Sequence, residues 1–139
     1  YGERLIVMEN TFRVEIYTPD RNFFSGDIES LVCNCVDGEI CVLKGHTPMI
    51  MAIDIGCIKV KQNGEWKTAV CDAGFGEVKN NLVRLFVGET EWMQNLEQAK
   101  AEILRLREEE KAREKESLRV HNENAIALAR TVAELNKKN

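Results

Sequence analysis

The sequence predicts an α+β chain in two parts: an N-terminal antiparallel β-sandwich or flattened barrel over residues 11–90, then a C-terminal antiparallel two-helix hairpin over residues 91–139. Three observations carry this. Residues 11–90 hold many short apolar runs broken by Gly, Asn or Pro, the pattern of short strands joined by tight turns. Residues 89–139 contain neither Gly nor Pro. Within that stretch Trp92, Leu96, Ala99, Ile103 and Leu106 recur at spacings of four and three, an apolar stripe along a helix.

In chain order, "TFRVEIYTP" alternates, with Phe12, Val14 and Ile16 on one face. Pro19-Asp20 and Ser25-Gly26-Asp27 are turn signals. "IESLVCNCV" reads as one long strand or a pair, followed by "EICVL", "MIMAI", "CIKVKQ", "WKTAVCDA", "FGEVKN" and "LVRLFV". Asn63-Gly64 is the strongest hairpin signal in the chain, and Asn80-Asn81 is a second tight turn. Lys44-Gly45-His46-Thr47-Pro48 separates two apolar runs: Gly45 permits a tight path and Pro48 fixes φ. In the tail the apolar stripe lapses over "REEEKAREKES" and resumes at Leu118, Ala125, Leu128, Val132 and Leu135, which suggests two amphipathic helices with a charged tip. Residues 1–10 read as a native extension or an expression remnant.

Composition excludes several function classes. Hydrophobic residues make up 44% of the 139 and charged residues 30%, a folded rather than a disordered chain. No apolar run reaches the roughly 20 residues that cross a bilayer, and charges interrupt the opening apolar patch, so no secretory leader is expected. The net charge of −4, without a basic stripe, argues against nucleic acid as a partner. Ten basic and ten acidic residues fall in 91–139, which leaves nine and thirteen of the total 19 and 23 in the first ninety. The helical part is therefore dense in both signs and suited to i,i+4 pairing. Five cysteines, none in a Cys-x-x-Cys pair, read as reduced and mostly buried. There is no P-loop and no nucleophile with an adjacent base. Cys71 before Asp72 is the nearest approach to one, and strand cysteines are usually inert.

Four segments together resemble the epsilon subunit of bacterial-type rotary F-type ATP synthases. "DGEICVLKGHTPMIMAI" (37–53) is similar to the family's G-E-x6-H-x-P segment, and Gly56 follows where the next strand opens. "AGFGEVKNNLVRLFV" (73–87) is similar to its G-G-F-x-E-V-x-x-N-x-V segment, and "LEQAKA" (96–101) to its I/L-D-x-x-R-A segment. The resemblance implies a non-catalytic rotor subunit that couples c-ring rotation to the gamma shaft. The c-ring and gamma subunit are then partners of the sandwich, with the loop around Glu39 and the turn at His46 as facing candidates. It also implies that the hairpin inhibits ATP hydrolysis by contacting the alpha and beta subunits, where Arg119, Arg130, Lys137 and Lys138 are candidate contacts. The implied location is peripheral, on the cytoplasmic face of the bacterial plasma membrane, with no insertion into it. No cofactor or metal is implied.

Some relatives bind a regulatory ATP on the hairpin. The corresponding residues here are Glu91, Glu97, Lys100 and Arg130. Glu97 stands for the usual Asp, Lys100 for the usual Arg, and Glu134 occupies the place of a second phosphate-binding Arg. Lys lacks the bidentate fork of Arg, so nucleotide binding would be weakened. The alternative reading is a free-standing β-sandwich binding module with a coiled-coil dimerisation tail.

Overall fold

The computed structural model describes residues 10–137; the expectation for the N-terminal extension falls almost wholly on residues outside these, as does Lys138. Among the described residues nine strands precede one helix: β1 (Phe12–Tyr17), β2 (Asn22–Ile28), β3 (Ser30–Cys35), β4 (Gly38–Val42), β5 (Met49–Gln62), β6 (Glu65–Cys71), β7 (Gly74–Lys79), β8 (Leu82–Val87), β9 (Thr90–Met93) and α1 (Leu96–Lys137). The strand order is β2-β1-β8-β7-β5-β3-β4, and β6 pairs with β5 and β9. Only β1–β8 is parallel; every other pairing is antiparallel.

Both predicted Asn turns form. Asn63 and Gly64 have φ of 54° and 77°, and Asn80 and Asn81 have 53° and 57°. These left-handed values are those of a two-residue type I′ turn, whose twist matches the strands that it joins. The buried set alternates along each strand. Val14 and Ile16 of β1, Leu31 and Cys33 of β3, Ile58 and Val60 of β5, and Val83 and Leu85 of β8 close on one core. Each fully buried Ile or Leu there contributes about 2 kcal/mol.

Strand β5 changes partner along its length. Met49–Ile53 pairs with β7, whereas Gly56–Gln62 pairs with β6. The expectation of two strands, "MIMAI" and "CIKVKQ", is corrected to one strand bent at Asp54-Ile55. The bend has a local cause. The β3 register shifts between Cys33 and Cys35, and Asn34 Nδ2 donates to the Ile55 carbonyl at 3.2 Å. A Cβ on Gly56 would lie 2.5 Å from that same amide nitrogen. The turn expected at Ser25-Gly26-Asp27 lies inside β2. As an edge strand with a largely open face, β2 tolerates small polar residues.

The helical hairpin is also corrected. α1 is one uninterrupted helix of 42 residues. "REEEKAREKES" lacks an apolar stripe, yet its Glu, Lys, Arg and Ala are strong helix formers. Pairs such as Arg105–Glu109, at 2.6 Å, reinforce such a run. Trp92, read as the first residue of the helical stripe, lies on β9 instead. The helix begins after Asn95, whose Oδ1 accepts the Gln98 N–H at 2.9 Å, while Gln98 Oε1 accepts the Gln94 N–H at 3.2 Å. This reciprocal cap satisfies donors that a helix start leaves open. The chain divides into two compact units between Leu104 and Arg105. In the second unit every described residue from Lys111 onward is exposed, including Leu118, Leu128 and Leu135.

Candidate partner-docking surfaces

The outer face of β1-β8-β7-β5 carries an aromatic ladder. The parallel register sets Tyr17 opposite Phe86, the β7–β8 register sets Phe86 opposite Phe75, and the β5–β7 register continues to Ala52. Tyr17 and Phe86 stack at 5.5 Å between centroids and Phe86 and Phe75 at 5.1 Å. Phe75 is 54% exposed, and Ile50 and Val36 are 72% and 66% exposed. The Val36 N–H donates to the Ala52 carbonyl at 2.9 Å, which attaches Val36 to the end of the ladder. An exposed apolar row on an outer sheet face is a candidate interaction surface. Beside it, Glu15 accepts from Arg84 at 3.1 Å and from Arg13 at 3.3 Å, forming a charged row.

The ladder runs to one end of the sandwich, where four chain connections and the β5 bend meet. These carry Asp20, Asp37, Asp54, Asp72 and Glu89, with Arg21 as the basic residue among them. The Asp72 N–H donates to the Glu89 carbonyl at 2.9 Å, tying two of these connections together. Arg21 is engaged. Its Nη2 reaches Glu91 Oε1 at 3.1 Å and the Thr90 carbonyl at 3.4 Å, and its guanidinium lies 5.4 Å from the Phe23 ring centroid. Phe23 and Trp92 stack at 4.9 Å and Phe24 meets Trp92 edge-on at 5.8 Å, so side chains close the seam between β2 and β9.

The residues read as candidates from sequence are dispersed. Glu39 is not in a loop: it is the exposed second residue of edge strand β4, two residues past Asp37. His46 lies at the opposite end of β4. Its Nδ1 is 2.8 Å from the Thr47 carbonyl and its N–H donates to the Leu43 carbonyl, so the side chain organises its own turn. The Gly45 N–H donates to Asn81 Oδ1 at 2.7 Å and anchors that turn to the β7–β8 hairpin. Of the four nucleotide candidates, Glu91 is held by Arg21, Glu97 and Lys100 lie at the start of α1, and Arg130 lies near its end. Glu91, Glu97 and Lys100 fall in the first unit and Arg130 in the second. Arg119 pairs with Glu116 at 2.5 Å, and Lys137 stands in the last turn of α1, where the helix dipole favours a cation.

Sequence reasoning missed Tyr17, Phe75 and Phe86. The signal was available: in "LVRLFV" the set Val83, Leu85 and Val87 is wholly apolar while the other carries Arg84, so the second set faces outward and takes Phe86 with it. The three core thiols are held protonated. Burial pushes Cys33 and Cys35 up, and it holds Cys71 at about 12, so Cys71 is a protonated core residue and not a nucleophile.

Residues 11–93 match the family model for the ATP synthase delta/epsilon chain, β-sandwich domain. An ATP synthase epsilon chain from Caldanaerobacter subterraneus subsp. tengcongensis is 34% identical over 129 residues, covering 92% of this chain and 94% of the relative. The chain belongs to the ATP synthase epsilon family. The fold recurs in two solved structures. A chain of the Euglena gracilis mitochondrial ATP synthase (OSCP/F1/c-ring, rotational state 1) aligns with a TM-score of 0.59 at 18% identity, over 65% of this chain and 58% of that one. A chain of the Tetrahymena thermophila mitochondrial ATP synthase central stalk and c-ring aligns with 0.52 at 14% identity, over 57% of this chain and 64% of that one. This chain thus spans less than two thirds of either solved chain. As an epsilon-family member it has the expected sandwich, with a single helix after it. No helix among the described residues is long and apolar enough to cross a membrane.

Proposed function

We propose that this epsilon-family chain is a non-catalytic central-stalk subunit that makes the c-ring and the gamma shaft turn together. The supporting observation is the meeting of two different docking chemistries on one rigid sandwich. The Tyr17–Phe86–Phe75 ladder suits an apolar patch on gamma, where buried aromatic rings act as anchors. The end that carries Asp20, Asp37, Asp54, Asp72 and Glu89, with Glu39 beside it, suits basic polar loops of the c-ring, because opposite potentials steer and register such contacts. The subunit then sits peripherally on the cytoplasmic face of the membrane.

Helix α1 supplies the second element of the proposal, inhibition of ATP hydrolysis through the alpha and beta subunits. The exposed stripe of Leu118, Leu128, Val132 and Leu135 needs a partner to cover it, and Arg119, Arg130 and Lys137 flank it with positive charge. The test is a gamma-binding titration with the intact chain and with Phe75→Glu. A loss of at least tenfold is expected when a central apolar anchor becomes charged; unchanged affinity would move the gamma seat elsewhere. Removing residues 105–139 is expected to leave gamma binding intact and to raise ATPase activity in the assembled complex. Sedimentation of the isolated chain as a dimer would instead assign the helix stripe to self-association.

A further inference from the structure

The β5–β6 turn holds a chemical feature that docking does not use. Asn63-Gly64 is the dipeptide most prone to deamidate, because glycine leaves its own backbone nitrogen open to attack the preceding side chain. In this reaction the Gly64 nitrogen loses its proton and bonds to Asn63 Cγ, and ammonia leaves. Water then opens the resulting five-membered imide to aspartate or isoaspartate. Both residues are exposed, so water and hydroxide have access.

The structure binds the attacking atom. The Gly64 N–H donates to Glu29 Oε1 at 3.0 Å. Glu29 is itself fixed, since its N–H donates to the Lys61 carbonyl at 2.8 Å. One residue before the turn, Gln62 Nε2 donates to the Asp27 carbonyl at 3.1 Å. Residues 27–29 therefore brace the turn from the neighbouring chain segment by three hydrogen bonds. The Glu29 contact opposes the reaction twice. It turns the Gly64 N–H toward the carboxylate, and its negative charge disfavours the amide anion that must form.

We propose that Asn63 is a latent deamidation site whose rate Glu29 holds down. Conversion would place a new carboxylate beside Glu29 and Glu65. In its isoaspartate form it would also add a methylene to the backbone of a two-residue turn that keeps Gln62 opposite Glu65.

The experiment ages the full-length chain at mildly alkaline pH and follows the tryptic peptide Gln62–Lys67 for the amide-to-acid mass gain and for isoaspartate. Glu29→Ala is expected to react about fivefold faster than the parent, the effect of losing one net hydrogen bond. Glu29→Gln, which keeps an acceptor but not the charge, should fall between them. Glu65→Gln removes a neighbouring charge without touching Gly64 and should match the parent, and the chain in urea should react fastest. Thermal melts of each variant establish that the reacting species is folded. Equal rates for the parent and Glu29→Ala, no conversion in either, or equal acceleration by Glu65→Gln would overturn the assignment.

Discussion

Arg84 on β8 donates to Glu15 on β1 at 3.1 Å, across the parallel strand pair in the sheet. Arg13 completes the bracket at 3.3 Å. The Arg84 bond, followed by that of Arg13, holds the Glu15 carboxyl below its ordinary value of 4.5. A carboxyl depressed on folding contributes stability above the unfolded value, and that contribution is lost as pH falls through the folded one. Parent and Glu15→Gln should therefore differ most near neutrality and converge in acid below about 4.5. Urea midpoints of both proteins across that range check the sign; a gap that widens in acid would contradict it.

Gly74 and Gly56 test two kinds of close approach. A Cβ at Gly74 would lie 2.0 Å from the Phe86 carbonyl oxygen, a backbone atom of the paired strand that cannot move aside. Gly74→Ala should cost about 3 kcal/mol. At Gly56 the obstacle is the Asn34 side chain, which can rotate, so Gly56→Ala should cost about 1 kcal/mol. Chemical denaturation ranks the two, and the reverse order would refute the argument.

The Asn95 cap fixes where strand grammar ends. Asn95→Ala should destabilise the chain by about 1 kcal/mol, and Asn95→Asp should be nearly neutral because the acceptor oxygen remains. Circular dichroism melts measure both. Equal losses would show that the Gln98 N–H bond contributes nothing.

Thiol labelling reads burial directly. Cys41 is exposed and Cys57 half-buried, whereas Cys33, Cys35 and Cys71 are buried and hard to ionise. Cys41 should react first and Cys57 slowly. The three core thiols should appear only on unfolding. Fast labelling of Cys71 in the native protein would contradict the described core.

The sandwich was readable where one residue type answers to one backbone need. Asn63-Gly64 and Asn80-Asn81 adopt positive φ, and alternation places Val14 and Ile16 inside. The single helix was not readable as such. An absence of breakers permits continuity and folding back alike, and the lapse in the apolar stripe favoured the wrong choice. The merging of two runs into β5 depends on Asn34 reaching Ile55 from another strand, a contact that local pattern does not encode. The ladder depends on β1 pairing with β8, about seventy residues away in sequence, and no short motif announces such a register. Glu39 and His46 belong to one motif in sequence, yet β4 carries them to opposite ends of the sandwich.

Because β5 runs unbroken from its pairing with β7 to its pairing with β6, those two parts of the sheet share one covalent strand as well as a greasy interior. Sliding one part past the other would have to break the ladder hydrogen bonds that Met49–Gln62 makes to β3, β6 and β7.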